Sequence, residues 1–113
     1  MSDFWNEIKK KYHYDALFPC HGELTCARKD EQWFHILHDG QPAYPERYDY
    51  VDIFSKEGLA RVRKDNEWFH ILHNGQPAYP ERYDYVSIFS KGLARVQKDG
   101  KWFSIRPDGR RAD

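Results

Sequence analysis

The chain contains copies of one segment, and this repetition constrains its fold more than any other feature of the sequence. Residues 33–67 and 68–101 align with a single gap, at Glu57. They differ at only five aligned positions, which are Asp39/Asn74, Asp52/Ser87, Arg63/Gln97, Asn66/Gly100 and Glu67/Lys101. A fixed period of this length is typical of arrays in which each unit is one supersecondary element that packs on its neighbours. The sequence therefore predicts a repeat architecture.

Partial copies extend the array at both ends. A further Trp-Phe pair opens the C-terminal stretch WFSIRPDGRRAD at Trp102. Upstream, three aromatic residues keep the spacing seen in the later copies, with Tyr12, Tyr14 and Phe18 corresponding to Tyr48, Tyr50 and Phe54. We therefore predict an N-terminal cap at 1–11 and one domain of three tyrosine-led units at about 12–47, 48–82 and 83–113.

Composition limits the class of protein that this repeat can form. Aromatic residues make up 17% of the 113 residues, and 18 Lys+Arg balance 18 Asp+Glu. This many rings argues against disorder and favours a small folded domain. Zero net charge gives no general attraction for nucleic acid or anionic membranes, and no apolar run is long enough to span a bilayer. Residues 1–11 lack an apolar stretch of the signal-peptide type, so a cytoplasmic protein is expected.

Each copy carries the pattern of a β-hairpin. The stretches on either side of residues 65–66 alternate apolar and polar side chains, and the equivalent dipeptide Asp99-Gly100 suits a two-residue type I′ turn. This turn predicts a register in which Arg63 pairs with Trp68. One face of the hairpin then carries the core-like side chains Ala60, Val62, Phe69 and Ile71, and the other face carries arginine, tryptophan and histidine.

The tyrosine-led stretch before each hairpin is predicted to be a third strand. Residues 48–54 precede a short turn, which makes them an antiparallel neighbour of residues 59–64. Two prolines in each connector break strand pairing. Ser2 or Asp3 is predicted to cap a short helix that covers the first unit. The expected fold class is all-β, with tandem three-stranded antiparallel meander repeats and a short N-terminal capping helix.

One order of residues recurs along the units and carries a family resemblance. It is formed by Trp33, Ile36, Gly40, Pro45, Tyr48, Asp49, Val51, Phe54, Ser55, Gly58, Leu59, Ala60, Val62, Lys64, Asp65 and Trp68. This order resembles the WG-repeat (KWG) proteins of bacteria. The resemblance implies a β-repeat scaffold for binding or assembly without catalytic residues of its own. The glycine that gives the family its name is replaced by Phe34, Phe69 and Phe103, so the sheet packing is expected to differ from the family pattern.

A shorter stretch carries a second resemblance. Residues 66–76 are similar to the aromatic hairpins of choline-binding and cell-wall-binding repeats, which implies carbohydrate- or choline-type ligand binding. Those hairpins recur at a much shorter interval than the tryptophans at Trp33, Trp68 and Trp102. The absence of a secretion signal in residues 1–11 also argues against a wall-binding role. Binding of a small ligand or glycan is therefore the alternative function.

The polar face of the hairpins is the candidate binding site. Cross-strand pairing places guanidinium groups over indole rings, which is worth about 0.5–1 kcal/mol at exposed sites and suits recognition of a peptide, a glycan or a carboxylate. The predicted binding face consists of Arg28, Trp33, His35, Arg61, Arg63, Trp68, His70, Arg95 and Trp102. The competing interpretation is that the tryptophans pack against tyrosines of neighbouring units and leave no site.

Other residues that could carry chemistry fit poorly. His70 and His73, like the equivalent pair one unit earlier, lie three residues apart on a strand, so they face opposite sides and cannot chelate one ion. Cys20 and Cys26 match neither a zinc nor a redox spacing, and reduced thiols are expected. No motif pairs a nucleophile with a base or cradles a phosphate. An enzyme is not expected.

The sequence therefore predicts a non-catalytic binding or scaffold module that uses no metal or cofactor. Its expected partner is a protein or peptide, a small ligand or glycan is the alternative, and neither nucleic acid nor membrane is expected. A further interpretation is self-association, in which open sheet edges pair between copies of the chain.

Overall fold

A computed structural model describes residues 3–19 and 24–112, which form one helix followed by three sheets. Helix α1 (Asp3–Tyr12) precedes the first unit, which contains strands β1 (Ala16–Phe18), β2 (Thr25–Lys29) and β3 (Gln32–Ile36). The second contains β4 (Tyr50–Val51), β5 (Ala60–Lys64) and β6 (Glu67–Ile71), and the third contains β7 (Tyr85–Val86), β8 (Ala94–Lys98) and β9 (Lys101–Ile105). Every sheet is an antiparallel meander in sequence order, which confirms the predicted fold class.

Two-residue turns set the register of each hairpin. Asp65 and Asn66 have φ values of 53° and 67°, the left-handed conformation that a type I′ turn requires at both positions. Arg63 therefore pairs with Trp68, as predicted. The aspartate immediately before β4 supports the turn, since the Asp65 N–H donates to Asp49 Oδ2 at 2.9 Å. The third unit repeats this contact between Asp99 and Asp84 at 2.8 Å, and the first repeats it between Asp30 and Asp15 at 3.1 Å.

The first unit is offset by two residues from its predicted alignment. The Tyr14 hydroxyl donates to the Gly40 carbonyl at 2.6 Å, and the Tyr48 hydroxyl makes the same bond to Gly75 at 2.7 Å. Tyr14 is therefore the counterpart of Tyr48, and the prediction that gave this place to Tyr12 was wrong. Tyr12 instead belongs to the capping helix, where the chain has not yet reached the first strand.

The tyrosine-led strand, which comes first in each sheet, is shorter than predicted. Residues 48–54 were expected to be extended, yet β4 covers only two residues. The ladder ends where the Asp52 N–H donates to Arg61 O at 3.0 Å, and the Asp52 carboxylate then accepts the N–H of Ile53. Phe54 leaves the sheet and packs against His35, with ring centroids 4.5 Å apart. Burial of Phe54 away from the sheet therefore ends the strand.

Reciprocal hydrogen bonds join the three sheets edge to edge. The Trp33 N–H donates to Tyr48 O at 2.7 Å, and the Tyr48 N–H donates back to Trp33 O at 2.9 Å. Trp68 and Tyr83 exchange the same two bonds at 2.8 and 2.9 Å. Consecutive strands therefore remain neighbours through the described part of the chain, which measures 46 × 27 × 20 Å.

Aromatic rings fill the thin core on the inner face of the sheets. Phe34 is buried between the ring of Tyr14, at 5.6 Å, and the guanidinium of Arg47, at 3.9 Å. Phe69 is held in the same way by Tyr48, at 5.9 Å, and Arg82, at 3.8 Å. Burying such a side chain contributes about 1.5–3 kcal/mol relative to leaving it exposed. The phenylalanine that replaces the glycine of the family pattern is thus the centre of a tyrosine–phenylalanine–arginine stack.

The two ends of the array are covered by different segments. At the first unit, α1 lays Ile8 and Tyr12 over Gly40, and the Lys9 carbonyl accepts the Tyr14 N–H at 2.9 Å. At the third unit, Arg111 of the C-terminal tail lies 4.1 Å over the ring of Phe103. The predicted helix-capping side chains, Ser2 and Asp3, lie outside the described side chains. In the described residues no helix has the length and apolar character needed to cross a membrane.

Candidate functional site

A row of partly exposed rings crosses the outer faces of the sheets. These side chains alternate with the core positions of their strands and therefore point away from the interior. We define the aromatic strip as Phe18, Trp33, Tyr50, Trp68, Tyr85 and Trp102. Ring centroids are 5.7 Å apart from Tyr50 to Trp68, 5.7 Å from Trp68 to Tyr85 and 5.9 Å from Tyr85 to Trp102, while Phe18 stacks on Trp33 at 5.5 Å. The strip thus extends from the second unit into the third without a break.

The exposure of the tryptophans shows how far they serve as a binding surface and how far they pack between units. Trp68 is half-buried because Tyr50 and Tyr85 flank it, so part of its surface packs against a neighbouring unit, as the competing interpretation proposed. Trp33 is half-buried as well, whereas Trp102 is 48% exposed. The rings therefore both join the units and leave a surface open to solvent.

Two arginines lie over the strip, and no anionic group among the described residues pairs with them. Arg28 is 5.9 Å from the ring of Trp33, and Arg63 is 5.9 Å from the ring of Trp68, which confirms the predicted cross-strand pairs. Both side chains are half-buried. Within residues 3–19 and 24–112, no group forms a hydrogen bond or ion pair with either guanidinium, and Arg28 Nε is buried without an acceptor.

Arg61 has a different role, because its guanidinium joins the second unit to the third. Its Nε donates to Asp52 Oδ2 at 2.9 Å, and its Nη1 donates to the Tyr85 hydroxyl at 2.8 Å and to the Val86 carbonyl at 3.2 Å. Burial acts to lower the pKa of Arg61, but hydrogen bonds to Asp52 and Tyr85 outweigh it and raise the pKa. Arg95, the equivalent residue in the third unit, is exposed and donates to Ser104 Oγ at 3.3 Å.

His35 and His70 do not belong to the exposed surface, although the sequence placed them on the binding face. Both side chains are 0% exposed. The two histidines extend from the same strand face as Trp33 and Trp68. The connector after each hairpin folds over the part of this face that carries the histidine. Sequence alternation alone could not predict this cover, because it is supplied by residues such as Tyr44 and Phe54 from outside the hairpin.

Each buried histidine links three parts of the chain, an arrangement that we call the histidine clasp. His35 Nε2 donates to the carbonyl of Asp52 at 2.8 Å, since a carbonyl can only accept. Because burial lowers the pKa of His35 to about 4, the ring is neutral at neutral pH, so Nδ1 carries no proton and accepts from the Tyr44 hydroxyl at 2.6 Å. His70 repeats both contacts, with Ser87 O at 2.8 Å and the Tyr79 hydroxyl at 2.6 Å.

Burial governs the electrostatics of the histidine clasp. Loss of solvation lowers the pKa of both His35 and His70 to about 4, although the hydrogen bonds to the backbone carbonyls of Asp52 and Ser87 act to raise it. Burial likewise raises the pKa of Tyr44 and Tyr79 well above the ordinary value. The clasps therefore hold neutral groups at neutral pH and act as structural links between units.

The remaining predicted candidates do not assemble into a chemical site. His70 is buried on β6, whereas His73 lies on the surface in the turn after that strand, stacked on Phe54 at 4.2 Å, so the two histidines do not share a strand, contrary to the prediction. Among the described residues no group of three His, Cys, Asp or Glu side chains is arranged to hold a metal ion. Cys26 is buried, and Cys20 lies outside the described residues.

Three rings of the aromatic strip were absent from the predicted binding face. Tyr50 and Tyr85 lie on the short strands β4 and β7, where they pair with Arg63 and Gln97, the cross-strand partners of Trp68 and Trp102. In the first sheet this position is Ala16, and Phe18 lies two residues further along β1. The signal was present in the sequence, because alternation in Tyr-Asp-Tyr-Val places the second tyrosine on the face opposite the buried valine.

The repeated segments of the chain match a known protein family. A family model described as WG containing repeat matches residues 38–68 and 73–102, and each match begins after one hairpin and ends on the strip residues Trp68 and Trp102. The chain belongs to the WG-repeat family. WG repeats are a non-enzymatic repeat type, so the chain is a repeat module. No curated protein and no solved structure matches it.

Proposed function

We propose that the chain is a non-catalytic binding module that holds a segment of another protein on its aromatic strip. The observation that carries this proposal is the unbroken row of partly exposed rings from Tyr50 to Trp102. Contiguous exposed apolar surface rimmed by polar side chains is characteristic of interaction sites, and tryptophan, tyrosine and arginine are the residues most enriched where binding energy concentrates.

The arginines that lie over the aromatic strip favour a protein segment as the ligand over a sugar or choline. A sugar ring stacks on an open aromatic face, but Arg28 and Arg63 already lie over the indoles of Trp33 and Trp68. A quaternary ammonium group would in addition be repelled by these guanidinium groups. An extended peptide can instead place apolar side chains between the rings and polar atoms beside the arginines.

Removal of the central ring tests the proposal. We expect Trp68→Ala to weaken binding of peptides selected on the wild-type chain from a displayed library by about thirtyfold or more, as for a buried aromatic anchor. Ile88→Ala removes an exposed apolar side chain outside the strip and should leave affinity unchanged. Fluorescence anisotropy of labelled peptides measures the dissociation constants, and circular dichroism shows whether each variant is folded.

The alternative function predicts a different pattern of results. If methyl glycosides or choline quench tryptophan fluorescence in a saturable manner, while selected peptides bind wild type and Trp68→Ala equally, the protein-binding proposal is wrong.

A further inference from the structure

On the premise of that proposed function, we infer that the partner is an acidic, extended segment whose carboxylates pair with Arg28 and Arg63. These two arginines are cations that lie beside the indole rings of Trp33 and Trp68. Each packs its guanidinium against an indole at 5.9 Å and is half-buried. The planar fork of arginine matches a carboxylate with two parallel hydrogen bonds, so a site that orients the fork and leaves it unpaired is suited to that anion.

Other arginines near the sheets already have acceptors. Arg61 pairs with Asp52 at 2.9 Å. Arg47 and Arg82 each donate to three backbone carbonyls of their own connectors. Arg28 and Arg63 differ from these, because no described residue accepts from their guanidinium groups.

Local carboxylates are engaged elsewhere. Asp49, whose N–H donates to the Arg63 carbonyl, uses Oδ2 to accept the N–H of the turn residue Asp65 at 2.9 Å. Asp15 has the same arrangement beside Arg28, where its Oδ2 accepts from the turn at 3.1 Å. The aspartates that flank the two arginines thus stabilise the turns, and the positive charge of the strip remains available to a partner.

The repeat fixes the spacing between the two anion sites. Arg28 lies on β2 and Arg63 on β5, three strand positions apart, and the register shifts by two residues between the units, because Trp33 bridges Tyr48 whereas Arg63 pairs with Tyr50. At the usual strand spacing and rise per residue, the two positions are about 16 Å apart. An extended peptide rises about 3.3 Å per residue, so carboxylates about five residues apart reach both arginines as the peptide crosses the strands obliquely. The inferred partner therefore carries acidic side chains at that interval, with apolar side chains between them that contact the rings.

The third unit provides a natural comparison. Gln97 takes the position of Arg28 and Arg63 and pairs with Trp102. A neutral amide offers no charge to a carboxylate, so the third unit is expected to contribute its exposed ring without an anion contact. The acidic part of the partner consequently lies over the first two units.

Synthetic peptides with two glutamates at different separations test this inference. We expect the wild-type chain to bind a peptide with glutamates five residues apart at least tenfold more tightly than isomers with the glutamates adjacent or nine apart, or than the glutamine analogue. Arg63→Gln, which introduces the residue of the third unit, should weaken binding about tenfold, and adding Arg28→Gln should weaken it further. Arg110→Gln, which removes an exposed cation paired to Asp108, is the matched control and should change little.

The outcomes separate the inference from the function on which it rests. If selected peptides lose affinity with Trp68→Ala but not with Arg63→Gln, and show no preference for acidic residues, the acidic partner is excluded while the protein-binding function stands. If neither variant weakens peptide binding, both proposals are excluded. Tight binding of a single-stranded oligothymidylate that depends on Arg28 and Arg63, without acidic-peptide binding, would also overturn the inference, because phosphates would then be the anions recognised.

Discussion

Acidification from pH 7.5 to pH 5 is expected to lower the free energy of unfolding by about 4 kcal/mol, which is a large share of the stability of a small domain. The reason is the pair of histidine clasps. His35 and His70 must remain neutral in the folded chain, where burial lowers their pKa to about 4, but in the unfolded chain they take up protons near pH 6.5. Each contributes about 2 kcal/mol over that interval.

The decrease in stability at low pH follows from the difference in proton binding between the folded and unfolded chains. Between pH 6.5 and about 4 the unfolded chain binds protons that folded His35 and His70 do not, so stability is full above pH 6.5 and declines as the pH falls toward 4. Urea unfolding followed by circular dichroism at a series of pH values measures the decline. His35→Gln combined with His70→Gln should flatten it, whereas His13→Asn, at an exposed position with φ 62°, should leave it intact. Equal stability of the wild-type chain at pH 7.5 and pH 5 would contradict the clasp.

Gly75→Ala is expected to destabilise the chain by about 3 kcal/mol or more, or to prevent folding, because backbone strain and overpacking act together there. Gly75 has φ 86°, a conformation that alanine adopts only with strain. A Cβ at this position would also lie 2.6 Å from Glu46 Oε1 and 2.7 Å from Tyr44 Cβ. Room for the Tyr44 ring of the histidine clasp therefore depends on glycine.

Gly92→Ala is the matched control, since it carries similar strain without the clash. Its φ is 82°, and a Cβ there would meet no atom within 4 Å. We expect this variant to lose only about 1–2 kcal/mol and to fold under conditions in which Gly75→Ala does not. Urea midpoints of the two variants give the comparison. Equal losses at both positions would show that backbone conformation alone, and not the approach of Tyr44, requires the glycine at position 75.

The hairpins were predictable because their determinants are local. The two-residue turn at Asp65 and Asn66 fixes which residues face each other, and the alternation on either side fixes which face is apolar. The pairing of Arg63 with Trp68 follows from these two facts, and the structure reproduces it. The charged part of the candidate site could therefore be placed on one surface from sequence.

The buried histidines were not predictable from the same reasoning. Alternation correctly gives His35 the side of the sheet that carries Trp33, but it cannot show that Tyr44 and Phe54 cover that position. The cover forms through the prolines of the connector and the early end of β4, and neither has a periodic signature. On one face of the strand, segments distant in sequence thus cover His35 and leave Trp33 partly exposed.

The error in the first unit has a simpler cause. The Tyr-x-Tyr spacing matched Tyr12 and Tyr14 to the later copies, although the dipeptide Tyr-Asp occurs at Tyr14 and recurs at Tyr48. The aspartate of this dipeptide holds the hairpin turn in every unit, so its role in hydrogen bonding makes it the better guide to alignment. The spacing between aromatic residues alone does not show which tyrosine precedes the aspartate that holds the turn.

The shared edge contacts have a consequence for how such a gene can change. Trp33 with Tyr48 and Trp68 with Tyr83 join successive units through identical bonds, and each clasp uses the same residue positions. Unequal recombination between the segments that encode the two nearly identical units would add or remove a whole unit, and the new neighbours would meet through an interface that already exists. Ser104 stands where the earlier units have a histidine, so the third unit lacks the side chain that clasps a following one. Growth of the array is therefore expected between existing copies rather than after the last.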